Sequence, residues 1–160
     1  MVRGQKVPDG RYHLVIHVCL FNKEGKMLIQ QRQSFKPTWA NMWDVSVGGA
    51  IAAGEDSAAG ARREVAEELG LALDLNGKPA SLSVSFPDGF DDYYIVEQDV
   101  DISTLQLQYE EVQAAKWASQ EEILAMIDDG SFIPYRKSLI DFLFFRYQSD
   151  GSGVFSNNKA

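Results

Sequence analysis

The stretch GAIAAGEDSAAGARREVAEELGL, residues 49–71, constrains the fold more than any other part of this sequence. Its first half is a glycine-rich loop, and its second half has the composition of a helix. Asp56 or Ser57 can cap the start of that helix, since their side-chain oxygens accept hydrogen bonds from free backbone N–H groups. Gly70 stands where a left-handed C-terminal cap is usual. The sequence therefore predicts a loop followed by a helix that ends at about Leu69.

Three glutamates crowd one surface of the predicted helix. At 100° per residue, Glu64, Glu67 and Glu68 fall within an arc of roughly 100°, beside an apolar stripe about 80° wide. Like charges at these spacings repel, and no lysine or arginine follows any of the three by four residues. Two unit charges ~4 Å apart cost on the order of 1 kcal/mol in water and ~4 kcal/mol at an intermediate dielectric. A solvated acidic surface is one interpretation, and a bound cation is the one that the crowding favours.

The donor atoms of this stretch indicate which cation would bind. Carboxylates, a loop carbonyl and water form an oxygen-only shell, which suits Mg²⁺ or Mn²⁺ and does not suit zinc. The glycine-rich loop lets backbone carbonyls approach an ion, and it also contributes Glu55. Such an ion can bridge diphosphate oxygens, neutralise charge in a transition state and generate hydroxide. The stretch therefore predicts a metal site for phosphate chemistry.

The rest of the sequence predicts one α/β (α+β) domain over residues 1–150 and a loose polar tail at 151–160. At 160 residues and 45% apolar side chains, the chain can bury one core but is cramped for two domains. Strands are predicted in RYHLVIHVCLFN and KMLIQQR, which form a hairpin, and in WDVSVGG, ASLSVSF, DYYIVEQDV and VQAAKWA. SQEEILAMIDDG and RKSLIDFLFFRY predict two further helices. This order describes a mixed β-sheet sandwiched between α-helices.

Charge and composition limit the classes of binding partner and the location that we expect. The formal charge of −8 repels nucleic acid and anionic membrane surfaces, so we expect a small-molecule partner and neither of those two. No apolar run approaches the roughly 20 residues of a membrane span, and the N-terminus lacks the apolar segment of a signal peptide. The single cysteine, Cys19, agrees with a reducing compartment and is expected in the core. We therefore expect a cytoplasmic protein.

The acidic helix and its loop carry a family signature. The fixed positions of the Nudix box are matched by Gly49, Glu55, Arg63, Glu64, Val65, Glu67, Glu68, Gly70 and Leu71. The chain thus resembles a Nudix protein. The resemblance implies the Nudix fold and the hydrolysis of a nucleoside diphosphate linked to another moiety, by water attacking a phosphorus. It also implies that the Gly49 carbonyl and the three helix glutamates hold Mg²⁺ or Mn²⁺, and that a homodimer is a reasonable expectation.

The resemblance also implies catalytic roles. Glu64 acts as a metal ligand, and Glu67 is the first choice for the residue that orients or deprotonates the water. A loop glutamate is the alternative, either Glu111 or Glu110 in QYEEV. Arg63 would orient a carboxylate, either Glu67 or Glu55. The identity of the general base is left open between the helix and the loop.

Within the superfamily, the sequence resembles type I isopentenyl-diphosphate isomerase and the isomerase-like hydrolases around it. The match includes HLVIHVCLFNKEGKMLIQQR, SVGG and EEVQAAKW. That isomerase has a cysteine directly before the box glycine and a metal-binding histidine directly after it, where this chain has Gly48 and Ala50. Isomerase activity is therefore disfavoured. Arg32 and Lys36 occupy positions of basic residues in the isomerase, and we expect them to contact the diphosphate.

Several other side chains are candidates for the site. Phe90 and Tyr93 flank the acidic pair in DGFDDYY and could stack on a base, although aromatic side chains are more often part of a core. His13 and His17 are four residues apart and so share one face of the first strand. A metal role is possible for both, and a hydrogen-bonded or surface role is the commoner one.

One further function remains open at this point. Some proteins keep a Nudix fold to bind a nucleotide or a partner without turnover. The complete box argues against such a module, because binding alone does not require every metal carboxylate.

Overall fold

The computed structural model describes residues 10, 12–75 and 77–149, so the predicted tail at 151–160 lies outside the described residues. Strands in this part of the chain are β1 (His13–Phe21), β2 (Met27–Arg32), β3 (Trp43–Asp44), β4 (Val47–Ala50), β5 (Leu82–Phe86), β6 (Gly89–Glu97) and β7 (Val112–Ala118). The α-helices are α1 (Ser57–Leu69), α2 (Gln120–Asp128) and α3 (Lys137–Gln148). The predicted mixed sheet between helices is confirmed. None of these helices combines the length and apolarity needed to cross a membrane.

Local capping signals set the helix ends. The Asp56 side chain accepts a hydrogen bond from the Ala59 N–H at 2.7 Å, and Gly70 ends α1 with a φ of 68°. Ser119 and Glu122 form the predicted capping box at the start of α2. These ends were predictable because each depends on residues within one helical turn.

The prediction of one strand in WDVSVGG is wrong. The segment forms two strands, because β3 pairs with β2 whereas β4 pairs with β1. Asp44 ends β3, and its carboxylate accepts the backbone N–H of Val45 at 2.8 Å, which stops the ladder there. One segment therefore crosses from one strand of the hairpin to the other.

The two strands of the first hairpin separate soon after their turn. Their ladder has one Cα pair, Phe21 with Met27; beyond it β1 pairs with β4 and β6, and β2 pairs with β3 and β7. Ser46 connects them where they part: its hydroxyl accepts the N–H of Leu20 at 2.8 Å and donates to the Leu28 carbonyl at 2.5 Å. A gap lined by polar side chains opens beyond this point.

The sheet carries a core on each face because side chains alternate along β1. Ile16, Val18 and Leu20 pack with α1, and Cys19 and Phe21 pack with α2 and α3. Cys19 is fully buried, as expected, and this burial raises the pKa of its thiol. The predicted site residues of α1 face the gap between β1 and β2 at Gln30.

Candidate active site

Glu68 is a buried carboxylate at the edge of the gap. It is only 4% exposed, and Gln30 of β2 donates a hydrogen bond to it at 2.8 Å. Burial raises the pKa of Glu68 to about 8, and repulsion from Glu64 and Glu111 adds to the effect. The protein therefore keeps a carboxylate in a place where its charged form needs a positive partner.

Gly49 allows a second carboxylate to reach the strand. It lies opposite Ile16 in the ladder between β1 and β4, with α1 packed over it. A Cβ atom at position 49 would stand 2.3 Å from the carboxyl carbon of Glu64. Glycine is therefore required for Glu64 to lie against the backbone of β4. Burial also raises the pKa of Glu64.

Arg63 connects the loop to the helix carboxylates. Its Nε and Nη2 atoms bind the two oxygens of Glu55 at 2.8 and 2.9 Å, while Nη1 reaches Glu64 at 2.8 Å and Glu67 at 3.3 Å. The paired guanidinium lowers the pKa of Glu55, and the pKa of Arg63 rises in return. Both partners named from the sequence, Glu55 and Glu67, are in contact with Arg63.

The loop before β7 brings a fourth carboxylate to this region. Its backbone is tied to the end of α1, because Gln108 donates its N–H to the carbonyl of Glu68 at 3.0 Å. Glu111 then pairs with the Nζ atom of Lys36 at 2.5 Å and repels the charges of Glu64 and Glu68. Its neighbour Glu110 is exposed. Of the two loop glutamates, Glu111 is the one beside the helix carboxylates.

The carboxylates are not arranged as finished metal ligands. Within the described ranges, no three acidic, histidine or cysteine side chains stand ready to coordinate one ion. Arg63 holds Glu64 and Glu67, and Lys36 holds Glu111, so cationic side chains occupy the carboxylate oxygens. The chemistry of the candidate ligands nevertheless suits a hard divalent cation, since each of them would offer an oxygen atom.

Comparisons with known proteins show the family of this chain. The profile of the NUDIX domain matches residues 11–138. The chain belongs to the Nudix family. A Nudix hydrolase of Listeria monocytogenes, lmo0368, is 49% identical over 134 residues, which cover 84% of this chain and 79% of the relative. The names of such relatives support a Nudix hydrolase as the enzyme class of this chain.

Two other proteins extend the comparison. The crystal structure of DR0079 from Deinococcus radiodurans superposes with a TM-score of 0.69 and 26% identity, over 92% of this chain and 90% of that one. The Nudix fold expected from the sequence is therefore confirmed. The isopentenyl-diphosphate delta-isomerase of Candida albicans is 25% identical over 177 residues, which cover 86% of this chain and 62% of the isomerase.

The four residues predicted to contact the substrate, Arg32, Lys36, Phe90 and Tyr93, do not all lie close together in this Nudix fold. Arg32 lies 4.0 Å from Asp44, and Lys36 is bound to the candidate base on the loop. Tyr93 is 3% exposed on the face of the sheet that carries α2 and α3. Phe90, three residues away in β6, faces the other side, is 40% exposed and packs edge-on against Tyr12. Tyr93 and Phe90 therefore do not line one pocket.

Sequence reasoning missed Asp44, Gln30 and Tyr135. Asp44 is 6% exposed, its pKa is raised by burial, and it accepts a hydrogen bond from the hydroxyl of Tyr135 at 2.7 Å. An aspartate inside the apolar run WDVSV was a usable signal, because a buried carboxylate in a strand needs a partner. Tyr135 carried no such signal.

A cavity of about 640 Å³ lies elsewhere in the fold. Its lining comes from residues 72, 74, 75 and 78–81, from the second half of β6 with Gln98, and from Arg146 of α3. None of the predicted site residues lines it. The candidate active site is therefore the polar gap at the end of α1 and not this cavity.

Proposed function

We propose that this Nudix protein is a Mg²⁺- or Mn²⁺-dependent pyrophosphohydrolase that cleaves a nucleoside diphosphate linked to another moiety. The observation that carries the proposal is the meeting of four carboxylates, three from α1 and one from the loop before β7, at one partly buried place. Two of them, Glu64 and Glu68, have pKa values raised by burial, so a divalent cation would be favoured there.

Each residue has a distinct task in the proposed reaction. The Gly49 carbonyl, Glu64, Glu67 and Glu68 would hold the ion, which when bound neutralises phosphate charge and makes a water molecule more acidic. Arg63, fixed by its two contacts with Glu55, keeps the helix carboxylates in position. These contacts orient the carboxylates, and proton transfer requires a carboxylate that water can reach.

Glu67 is the proposed general base. Its side chain is 50% exposed and has one ion-pair contact, at 3.3 Å, so water can reach it. Glu111 is the alternative, and its contact with Lys36 must loosen before it can take a proton. Lys36 and Arg32 would bind the diphosphate, because cationic donors favour phosphate oxygens.

Two other functions are less well supported. We place the chain in the isomerase-like branch of the family, yet Gly48 and Ala50 replace the cysteine and the histidine that the isomerase uses. Cys19 is fully buried and cannot take the place of that cysteine. A binding module without turnover remains the second candidate, and the complete acidic helix speaks against it.

A panel of nucleoside diphosphate derivatives, incubated with Mg²⁺ or Mn²⁺, tests the proposal. We expect cleavage of at least one compound, and a rate loss of roughly 100-fold or more in Glu67→Gln. Glu24→Gln, an exposed glutamate in the first hairpin turn, is the matched control and is expected to keep the wild-type rate. An undiminished rate in Glu67→Gln would show that Glu67 is not the general base.

The same panel separates the alternatives. If no compound is cleaved but one of them raises the melting temperature, the binding module is the correct function. Conversion of isopentenyl to dimethylallyl diphosphate would instead identify an isomerase. Our proposal includes a single catalytic domain over residues 1–150, a cytoplasmic location and no nucleic-acid or membrane partner. It also includes a homodimer as the expected assembly, which light scattering tests.

A further inference from the structure

A cluster of polar side chains lies on the face of the sheet opposite α1. We define the Asp44 cluster as His17, Arg32, Asp44, Tyr93 and Tyr135. Within the described ranges, two buried side-chain nitrogens have no hydrogen-bond partner, and both belong to this cluster: Nδ1 of His17 and Nε of Arg32. An unsatisfied buried polar atom is destabilising, so folded proteins keep few of them without a function.

The position of the His17 ring determines what its free nitrogen can do. Nε2 lies 3.3 Å from the Asp91 carboxylate, and the ring stacks on Tyr93 with centroids 4.5 Å apart. Because a carboxylate only accepts hydrogen bonds, Nε2 carries the proton, and Nδ1 of the neutral ring is then an acceptor. His17 therefore lacks a donor, which an N–H or O–H group would supply.

Gly48 leaves space beside this nitrogen. It is the partner of His17 in the ladder between β1 and β4, and a Cβ atom at position 48 would lie 3.5 Å from Nδ1 with no atom closer. Because residue 48 is a glycine, no side chain of β4 at this position covers Nδ1. The next residue is Gly49, whose carbonyl belongs to the proposed metal shell. His17 is therefore one ladder position away from the backbone carbonyl that would bind the ion.

Arg32 and Asp44 connect this space to the acidic helix. The Nη2 atom of Arg32 donates to the Thr38 carbonyl at 3.3 Å, and Nη1 lies 4.0 Å from Asp44. Asp44 acts electrostatically on His17 and Arg32, and it also raises the pKa of Glu68. The free Nε–H of Arg32 needs an acceptor, for which a phosphate oxygen is suited.

We propose that His17 is a specificity-determining residue, whose Nδ1 accepts a hydrogen bond from an N–H or O–H group on the moiety attached to the diphosphate. The inference rests on the proposed function and narrows its substrate class. A nucleoside meets the requirement through a sugar hydroxyl or a base N–H, whereas a hydrocarbon chain has no donor. His17 thereby favours nucleoside diphosphates over alkyl diphosphates.

Binding constants measured by calorimetry in Mg²⁺ test the proposal without requiring turnover. The probes are a nucleoside diphosphate, its 2′,3′-dideoxy analogue, an analogue with methylated base N–H groups, and isopentenyl diphosphate. We expect wild-type protein to bind the nucleoside compound at least about tenfold more tightly than isopentenyl diphosphate, as one hydrogen bond allows. One of the two analogues should lose this advantage, which identifies the sugar or the base as the donor.

His17→Gln removes the acceptor at Nδ1 and keeps an amide that can reach Asp91. We expect the ratio of the two binding constants to fall towards one in this variant. His13→Gln, the same change four residues earlier on the same face of β1, is expected to keep the wild-type ratio. Gly48→Ala places a methyl group in ordinary contact with Nδ1 while His17 stays intact. We expect this variant to reduce the ratio as well. It tests the proposal even if His17→Gln does not fold.

An unchanged ratio in both His17→Gln and Gly48→Ala overturns the proposal. Absence of cleavage in wild-type protein refutes the proposed function instead, and the binding ratio still decides the role of His17.

Discussion

At the scale of single residues, the buried carboxyl group of Glu68 has the clearest physical consequences. It is almost completely buried, and its only polar side-chain partner among the described residues is the neutral amide of Gln30. Burial raises its pKa to about 8, so without a cation the carboxyl group is largely protonated at neutral pH. Proton and metal ion therefore compete for the same oxygen atoms.

The raised pKa predicts a pH-dependent stability for the metal-free protein. Between pH 4.5 and about 8 the folded state holds a proton on Glu68 that the unfolded state has lost, so the free energy of unfolding falls as pH rises. The slope from one such group is at most about 1.4 kcal/mol per pH unit. Urea unfolding at pH 5, 6, 7 and 8, without metal, measures it.

Glu68→Gln isolates this contribution, because Glu64 and Asp44 also have raised pKa values and add slopes of the same sign. We expect a shallower slope than in wild-type protein, and greater stability than wild type above pH 8, where the wild-type chain buries a charge. The exposed Glu24→Gln serves as control. Equal slopes in wild type and Glu68→Gln would show that Glu68 ionises normally.

Sequence periodicity predicted which residues share the acidic surface but not which of them is buried. Glu67 and Glu68 are neighbours, and the side chain of Glu67 is 50% exposed while Glu68 is 4% exposed. The difference arises because Gln30 and the loop at Gln108 close over Glu68 from distant parts of the chain. Helical spacing carries no information about such neighbours.

At the scale of elements, the predictable features were the local ones. The hairpin turn, the caps Asp56 and Ser119, and the helix end at Gly70 each follow from nearby residues. The parallel pairing of β1 with β6 joins residues more than 70 positions apart, and the division of WDVSVGG depends on two different partner strands. Pairing of this kind is decided by packing of the whole sheet, which strand propensity does not describe.

The contact between β4 and α1 yields a prediction from two neighbouring glycines. An added Cβ atom would be 2.3 Å from the Glu64 carboxyl carbon at Gly49, but at Gly48 it meets no atom closer than 3.5 Å. Gly49→Ala must therefore displace the carboxylate of Glu64, and we expect its Mn²⁺ affinity to fall at least about tenfold. Titration with Mn²⁺ followed by electron paramagnetic resonance measures this.

Gly48→Ala is the matched variant, and we expect it to bind Mn²⁺ as wild-type protein does. Circular dichroism establishes that both variants are folded. Equal Mn²⁺ affinity in the two variants would contradict the role of Gly49 as the position that admits Glu64.

At the scale of the whole molecule, two hydrophobic cores pack on opposite faces of one sheet. Leu69 of α1 lies in one core, and Leu143 of α3 lies in the other, both fully buried. Side chains of adjacent residues of β1 point alternately into the two cores. Loss of β1 from the sheet would therefore disrupt both cores at once. Two cores built in this way should unfold as one cooperative unit.

We therefore expect Leu69→Ala and Leu143→Ala each to cost ~2–5 kcal/mol and to shift the same single transition. Two tryptophans can report separately, because Trp43 packs against the core of α2 and α3, and Trp117 packs against that of α1. In a background of Trp39→Phe, replacing either tryptophan with phenylalanine leaves a probe of one face. Coincident urea midpoints from both probes are expected for each alanine variant. If Leu143→Ala moved the Trp43 midpoint and not the Trp117 midpoint, the two faces would be independent units.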